Sequence, residues 1–144
     1  MIHEDTVCLL RECDAGAHMG ASSIEDVLSR GPSEALSEHL HASRAQHDAL
    51  SREIRAALER FGDEGKPPAA VARGMAWLKT AAELAVSPTD TAAARLIIDG
   101  CDMGVRSLNG YLHKYAAADE SSKDIARRLI ALEEGLAADM RDFL

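Results

Sequence analysis

A chain of 144 residues makes one domain rather than two, and 24 acidic against 16 basic residues leave a formal charge of −8. That balance excludes a protein whose main task is gripping nucleic acid, because phosphate binding needs a clustered positive footprint. Hydrophobic residues at 47% suffice for a packed core, and aromatics at only 3% favour helices over a β-sandwich or barrel.

The opening Met1-Ile2-His3-Glu4-Asp5 has no basic stretch followed by an apolar one, so no secretory signal is expected. No run of about 18 apolar residues predicts a membrane span. Cys8, Cys13 and Cys101 are odd in number and lack metal-type spacing, which predicts reduced, mostly buried thiols in a cytoplasmic protein.

The first helix is predicted over about Asp5 to Ser29. Val7, Leu10, Cys13, Ala17, Gly20, Ile24 and Leu28 recur at steps of three or four, which places them on one helical face. Gly31 suits a C-terminal cap, and Ser33 suits the N-cap of a second helix over Glu34 to Phe61. The stripe of that helix is Leu36, Leu40, Ser43, His47, Leu50, Ile54, Leu58 and Phe61. The short Gly31-Pro32 connection makes the two an antiparallel hairpin.

Gly62 to Pro68 stops the chain. Ala69 to Val86, with Val71, Met75, Trp77, Leu78 and Ala82, reads as a shorter helical crossover. Ser87 or Thr89 can cap a third long helix over Asp90 to Ala118, whose face carries Ile97, Cys101, Gly104, Leu108, Leu112 and Tyr115. Its Gly100, Gly104 and Gly110 suggest close approach of another helix. Ser122 is the expected cap of a last helix reaching about Phe143, with Ile125, Leu129, Leu132, Leu136 and Met140 on its stripe. Hairpin, long link, hairpin describes an all-α four-helix bundle filling residues 1–144. A bundle with one long crossover has the ferritin-like topology.

The chain resembles a bacterial ferritin-like family of small proteins related in fold to ferritins and rubrerythrins. The resemblance is carried by Leu9-Leu10…Cys13-Asp14-Ala15-Gly16, by Gly74…Trp77-Leu78-Lys79, and by Leu96-Ile97…Gly104…Tyr111…Tyr115 with the final helix. It implies the bundle architecture and stress-related roles, with no assigned activity.

Ferritin-type di-iron sites use a Glu from each of two helices and Glu-x-x-His from each of the other two. Glu38-x-x-His41 matches the string once, but Glu38 lies off the apolar stripe and should face solvent, and no second copy exists. His47 does fall on the stripe. Equal distances from the turn place it level with Ala15, so Asp14 can meet it, with Glu133 and Asn109 approaching from the other hairpin. Such a group is a structural hydrogen bond, a proton relay or a degenerate metal site of Asp14, His47 and Glu133. The histidines lack the paired spacing of a haemerythrin, and no strand precedes a nucleophile or a glycine loop.

Three functions follow. The leading expectation is a non-enzymatic bundle, a homodimer, acting through its surface on a protein partner or in stress response, with no catalytic residue and no cofactor. The alternative is a metal-dependent oxidoreductase or iron-handling protein holding iron or manganese. The third is a small-ligand binder, with an apolar pocket lined by Gly104, Ala17 and Gly20.

Overall fold

The structure, a computed structural model, describes residues 2–63 and 89–144. Within them lie four long helices: α1 (Ile2–Leu28), α2 (Glu34–Arg60), α3 (Asp90–Lys114) and α4 (Glu120–Met140), the last followed by a 3-10 turn at Arg141–Phe143. No strand occurs among the described residues. The crossover expected at Ala69 to Val86, including Trp77, lies outside them.

The termini of the helices follow local chemistry. At the end of α1 the chain turns through Gly31, whose φ of +70° is open to glycine at little cost. Ser33 caps α2 by accepting the Leu36 N–H, and Thr89 caps α3 by accepting the Ala92 N–H at 3.1 Å.

Three boundaries differ from the periodicity. α1 begins at Ile2, a turn earlier than expected. α3 ends at Lys114 rather than Ala118, because the turn that follows is tied to α1: the Asp5 carboxylate accepts the Ala117 N–H at 3.0 Å, and the Thr6 hydroxyl accepts the Asp119 N–H at 2.9 Å. α4 is capped by Asp119, whose carboxylate accepts the Ser122 N–H at 2.8 Å, while the Ser122 hydroxyl donates to the Asp119 carbonyl.

The apolar stripes meet in two clusters. One joins Leu9, Leu10 and Cys13 of α1, Ile54 and Leu58 of α2, Leu108 of α3, and Ile125 and Leu129 of α4. The other joins Ile24 and Val27, Leu36 and Leu40, Ile97 and Cys101, and Leu136 and Met140. The start of α1 therefore lies with the end of α2, the end of α3 and the start of α4. α1 runs parallel to α4, and α2 runs parallel to α3.

Contacts at the ends agree. His3 meets Phe61 edge-on at one end, where Arg11 also pairs with Asp63. At the other end the Ser33 N–H donates to the Asp90 carboxylate at 3.0 Å. Asp63 and Asp90 thus lie at opposite ends of the bundle. This is the hairpin, long link, hairpin order expected from the sequence.

Candidate functional site

Between the two apolar clusters lies a buried polar pair from α2 and α4, faced by glycines of α1 and α3. His47 of α2 is fully buried, and Glu133 of α4 is 7% exposed. Their stripes place them: His47 falls between Ser43 and Leu50 on the buried face of α2, and Glu133 falls between Leu129 and Leu136. The His47 Nε2 and Glu133 Oε1 atoms are 2.6 Å apart.

The other ring nitrogen, Nδ1, lies 2.8 Å from the Ser43 carbonyl oxygen, which can only accept. With Nδ1–H committed to that carbonyl, the proton between Nε2 and Oε1 must come from an imidazolium or from a carboxylic acid. Burial alone disfavours the imidazolium. The hydrogen bond to Glu133, its negative charge and the Ser43 carbonyl outweigh burial and hold the His47 pKa above its ordinary value. The hydrogen bond and charge of Glu133 thus favour the protonated form of the buried ring.

Glycine makes room for it. A Cβ built on Gly20 of α1 would sit 2.7 Å from the His47 ring and 3.2 Å from Glu133 Oε1, so only glycine lets the ring lie there. Across the pair a Cβ on Gly104 of α3 would meet nothing closer than Glu133 Oε2, at 3.6 Å. At neither Gly104 nor Gly110 does a Cβ meet another helix backbone. Gly104 faces a carboxylate, and Gly110 faces open space.

The space on that side is a cleft of about 320 Å³ between α1 and α3, with α4 as its floor. Its walls are mostly apolar, from Met19 and Ile24 on α1 and from Leu96, Ile97, Met103 and Leu108 on α3. Glu133 and Cys101 reach it near the middle, and Glu12 reaches it on the first half of α1. Burial first, and then the nearby Glu133 carboxylate, push the Cys101 thiol pKa up. Cys13 is likewise pushed up to about 12 by burial. Both remain neutral thiols, poor nucleophiles and poor metal ligands near neutral pH.

Of the three residues expected to converge, His47 and Glu133 meet and Asp14 stands apart. The Asp14 carboxylate is buried beside His18, whose Nδ1 is 3.3 Å away, and Arg55, at 4.0 Å. Its Oδ1 has no hydrogen-bond partner. Equal counting from the turn fails here because the chain runs on past the end of α1, with Ser33 extended at φ −57° and ψ 159°, before α2 starts back. His47 consequently lies against Gly20, more than one turn nearer the loop than Ala15. Asn109 also stays outside, exposed and donating to the Val105 carbonyl. Glu38 is exposed, as its place off the stripe implies.

Among the described residues no three His, Cys, Asp or Glu side chains are grouped so as to hold a metal ion. The ligand pocket expected at Gly104, Ala17 and Gly20 contains both glycines, whereas Ala17 is sealed in the core and Ala15 and Gly16 take its place on the wall. Among the described residues no helix is long and apolar enough to cross a membrane. Comparison with protein-family models, with curated proteins and with solved structures gives no match for this chain.

Proposed function

We propose that this chain is a ferritin-like bundle that works by binding rather than by catalysis, holding a small and largely apolar molecule in the α1–α3 cleft. The observation that carries this reading is the cleft itself: about 320 Å³, walled by apolar and small side chains, with one buried charged pair at its base. Sites of this volume with few, well-placed polar groups are the usual form of a small-molecule pocket. The His47–Glu133 pair gives the site a fixed polar end.

The test is a titration of the full chain with the neutral fluorescent probe N-phenyl-1-naphthylamine. Saturable 1:1 enhancement in the native chain, lost in Gly104→Leu where a longer side chain fills the cleft, is the expected result. Enhancement that never saturates, or that survives Gly104→Leu, overturns it.

The iron or manganese alternative retains two of its three residues, His47 and Glu133, and metal analysis separates it from the binding reading. Stoichiometric metal in protein from iron- and manganese-fed cells, lost in His47→Ala, would replace the proposal. The homodimer is carried on similar terms. A light-scattering mass of twice 15.4 kDa supports it, and 15.4 kDa removes it.

A further inference from the structure

The cleft that serves the proposed binding role has a charge as well as a shape. Among its described lining residues there are two carboxylates, Glu12 and Glu133, and no Lys, Arg or His. His47 stands behind Glu133 on the far side of the core and balances one of these two negative charges. The second carboxylate, Glu12, is half-buried at the α1 wall of the cleft.

The layout of the Glu133 carboxylate sharpens this. Oε1 is taken by His47, the Cys101 thiol also hydrogen-bonds this carboxylate, and Oε2 lies on the Gly104 side, 3.6 Å from a Cβ at that position. A hydrogen-bond donor entering the cleft would therefore meet a carboxylate oxygen that is buried, fixed in direction by the histidine and sheltered from water. In such surroundings a charged donor gains far more from the contact than it would at a surface. An anionic head group would meet two like charges and no cation.

We propose that the ligand of this cleft is a monovalent organic cation, a protonated amine on a hydrocarbon or aromatic body, with its ammonium group donating to Glu133 Oε2 and its apolar body lying along Met19, Met103 and Leu108. Glu12 lies eight residues before Gly20 on α1, about 12 Å along the helix, so it acts on the cation at longer range than Glu133. The overall charge of −8 further favours approach of a cation.

This inference rests on the reading of the cleft as a ligand site, and the two can fail separately. The experiment is calorimetric titration of the full chain with three probes of equal chain length: decylammonium, decanol and decanoate, each below its micelle concentration. Decylammonium is expected to bind about tenfold more tightly than decanol, with decanoate weakest. Glu133→Gln should erase the preference for the ammonium probe over decanol. Gly104→Leu keeps the same charge but fills the cleft, and should abolish the ammonium signal.

Equal affinity for decylammonium and decanol overturns the cationic ligand and leaves the apolar site standing. Tightest binding of decanoate does the same. Ammonium binding that persists in Gly104→Leu places the cation on the acidic surface and overturns the inference. Failure of all three probes to bind overturns both readings. If Glu133→Gln does not fold, the ranking of the three probes on the native chain decides.

Discussion

At the residue scale, two glycines one layer apart make opposite demands. Gly20→Ala gains the helix propensity of alanine, about 1 kcal/mol, but drives a methyl group to 2.7 Å from the His47 ring. That ring is held between the Ser43 carbonyl and Glu133. The overpacking is expected to outweigh the propensity gain, for a net loss of about 1–2 kcal/mol in urea unfolding. Gly104→Ala meets only ordinary contacts at 3.6 Å and beyond, so it should be stabilising by up to about 1 kcal/mol. Equal effects of the two substitutions would show that the ring is not packed against Gly20.

The His47–Glu133 pair makes stability depend on pH with a definite sign. The folded pKa of His47 is raised above the ordinary 6.5, so the folded chain retains a proton that the unfolded chain releases. The pair's contribution is fully present below about pH 6.5 and is lost as pH rises through the folded value. Urea midpoints of the native chain should therefore fall as the buffer moves from pH 6.5 into the alkaline range. His47→Gln should flatten that fall. Glu133→Ala leaves a buried imidazole facing nothing and should cost about 3 kcal/mol.

At the scale of the helix, most of the bundle was legible in the sequence, and the reasons are local. The α2 stripe from Leu36 through Leu40, Ser43, His47, Leu50, Ile54 to Leu58 is buried throughout, because a period of three and four residues states a helical face directly. Ser33, Thr89 and Gly31 do the work expected of their side chains.

What escaped was height and partner. Periodicity says that His47 faces inward but not which residue it meets, and the extended stretch at Ser33 displaced the register that would have put Asp14 beside it. The cap of α4 was misplaced because Asp119 and Ser122 are both good capping residues, and the choice is made by Thr6, which lies 113 residues away in sequence. Asp119→Ala removes the cap and should cost about 1 kcal/mol, whereas Ser122→Ala, which loses only its bond to the Asp119 carbonyl, should cost less. Thermal unfolding of the two variants orders them, and a larger loss for Ser122→Ala would reverse the assignment. The cleft was legible only in outline, since Gly20 and Gly104 announce missing side chains without saying whether a helix or a void fills the space.

At the scale of the whole molecule, the two hairpins meet through neighbouring helices that run in opposite directions, α1 against α3 and α2 against α4. The buried polar pair lies where all four cross the middle of the bundle. The apolar surface left open is concentrated in the cleft, for among the described residues only Ile2 and Leu144 are large hydrophobic side chains exposed to solvent. Ion pairs dress the outside, among them the two-pronged contact of Arg128 with Glu53, at 2.9 and 2.6 Å, which ties α4 to α2. Exposed pairs of this kind add about 1 kcal/mol or less, so Arg128→Ala should barely move the urea midpoint.

The parallel course of α1 and α4 has a mechanical consequence. The chain enters the bundle at one end and leaves it at the other, with Ile2 beside the α3–α4 turn side and Phe143 near Thr91, whose hydroxyl donates to its carbonyl at 3.0 Å. A domain fused before Ile2 and another fused after Leu144 would be held apart by the length of a 27-residue helix, about 40 Å, instead of being brought together as they are by a hairpin of helices. Energy transfer between dyes attached at the two termini would read that span directly.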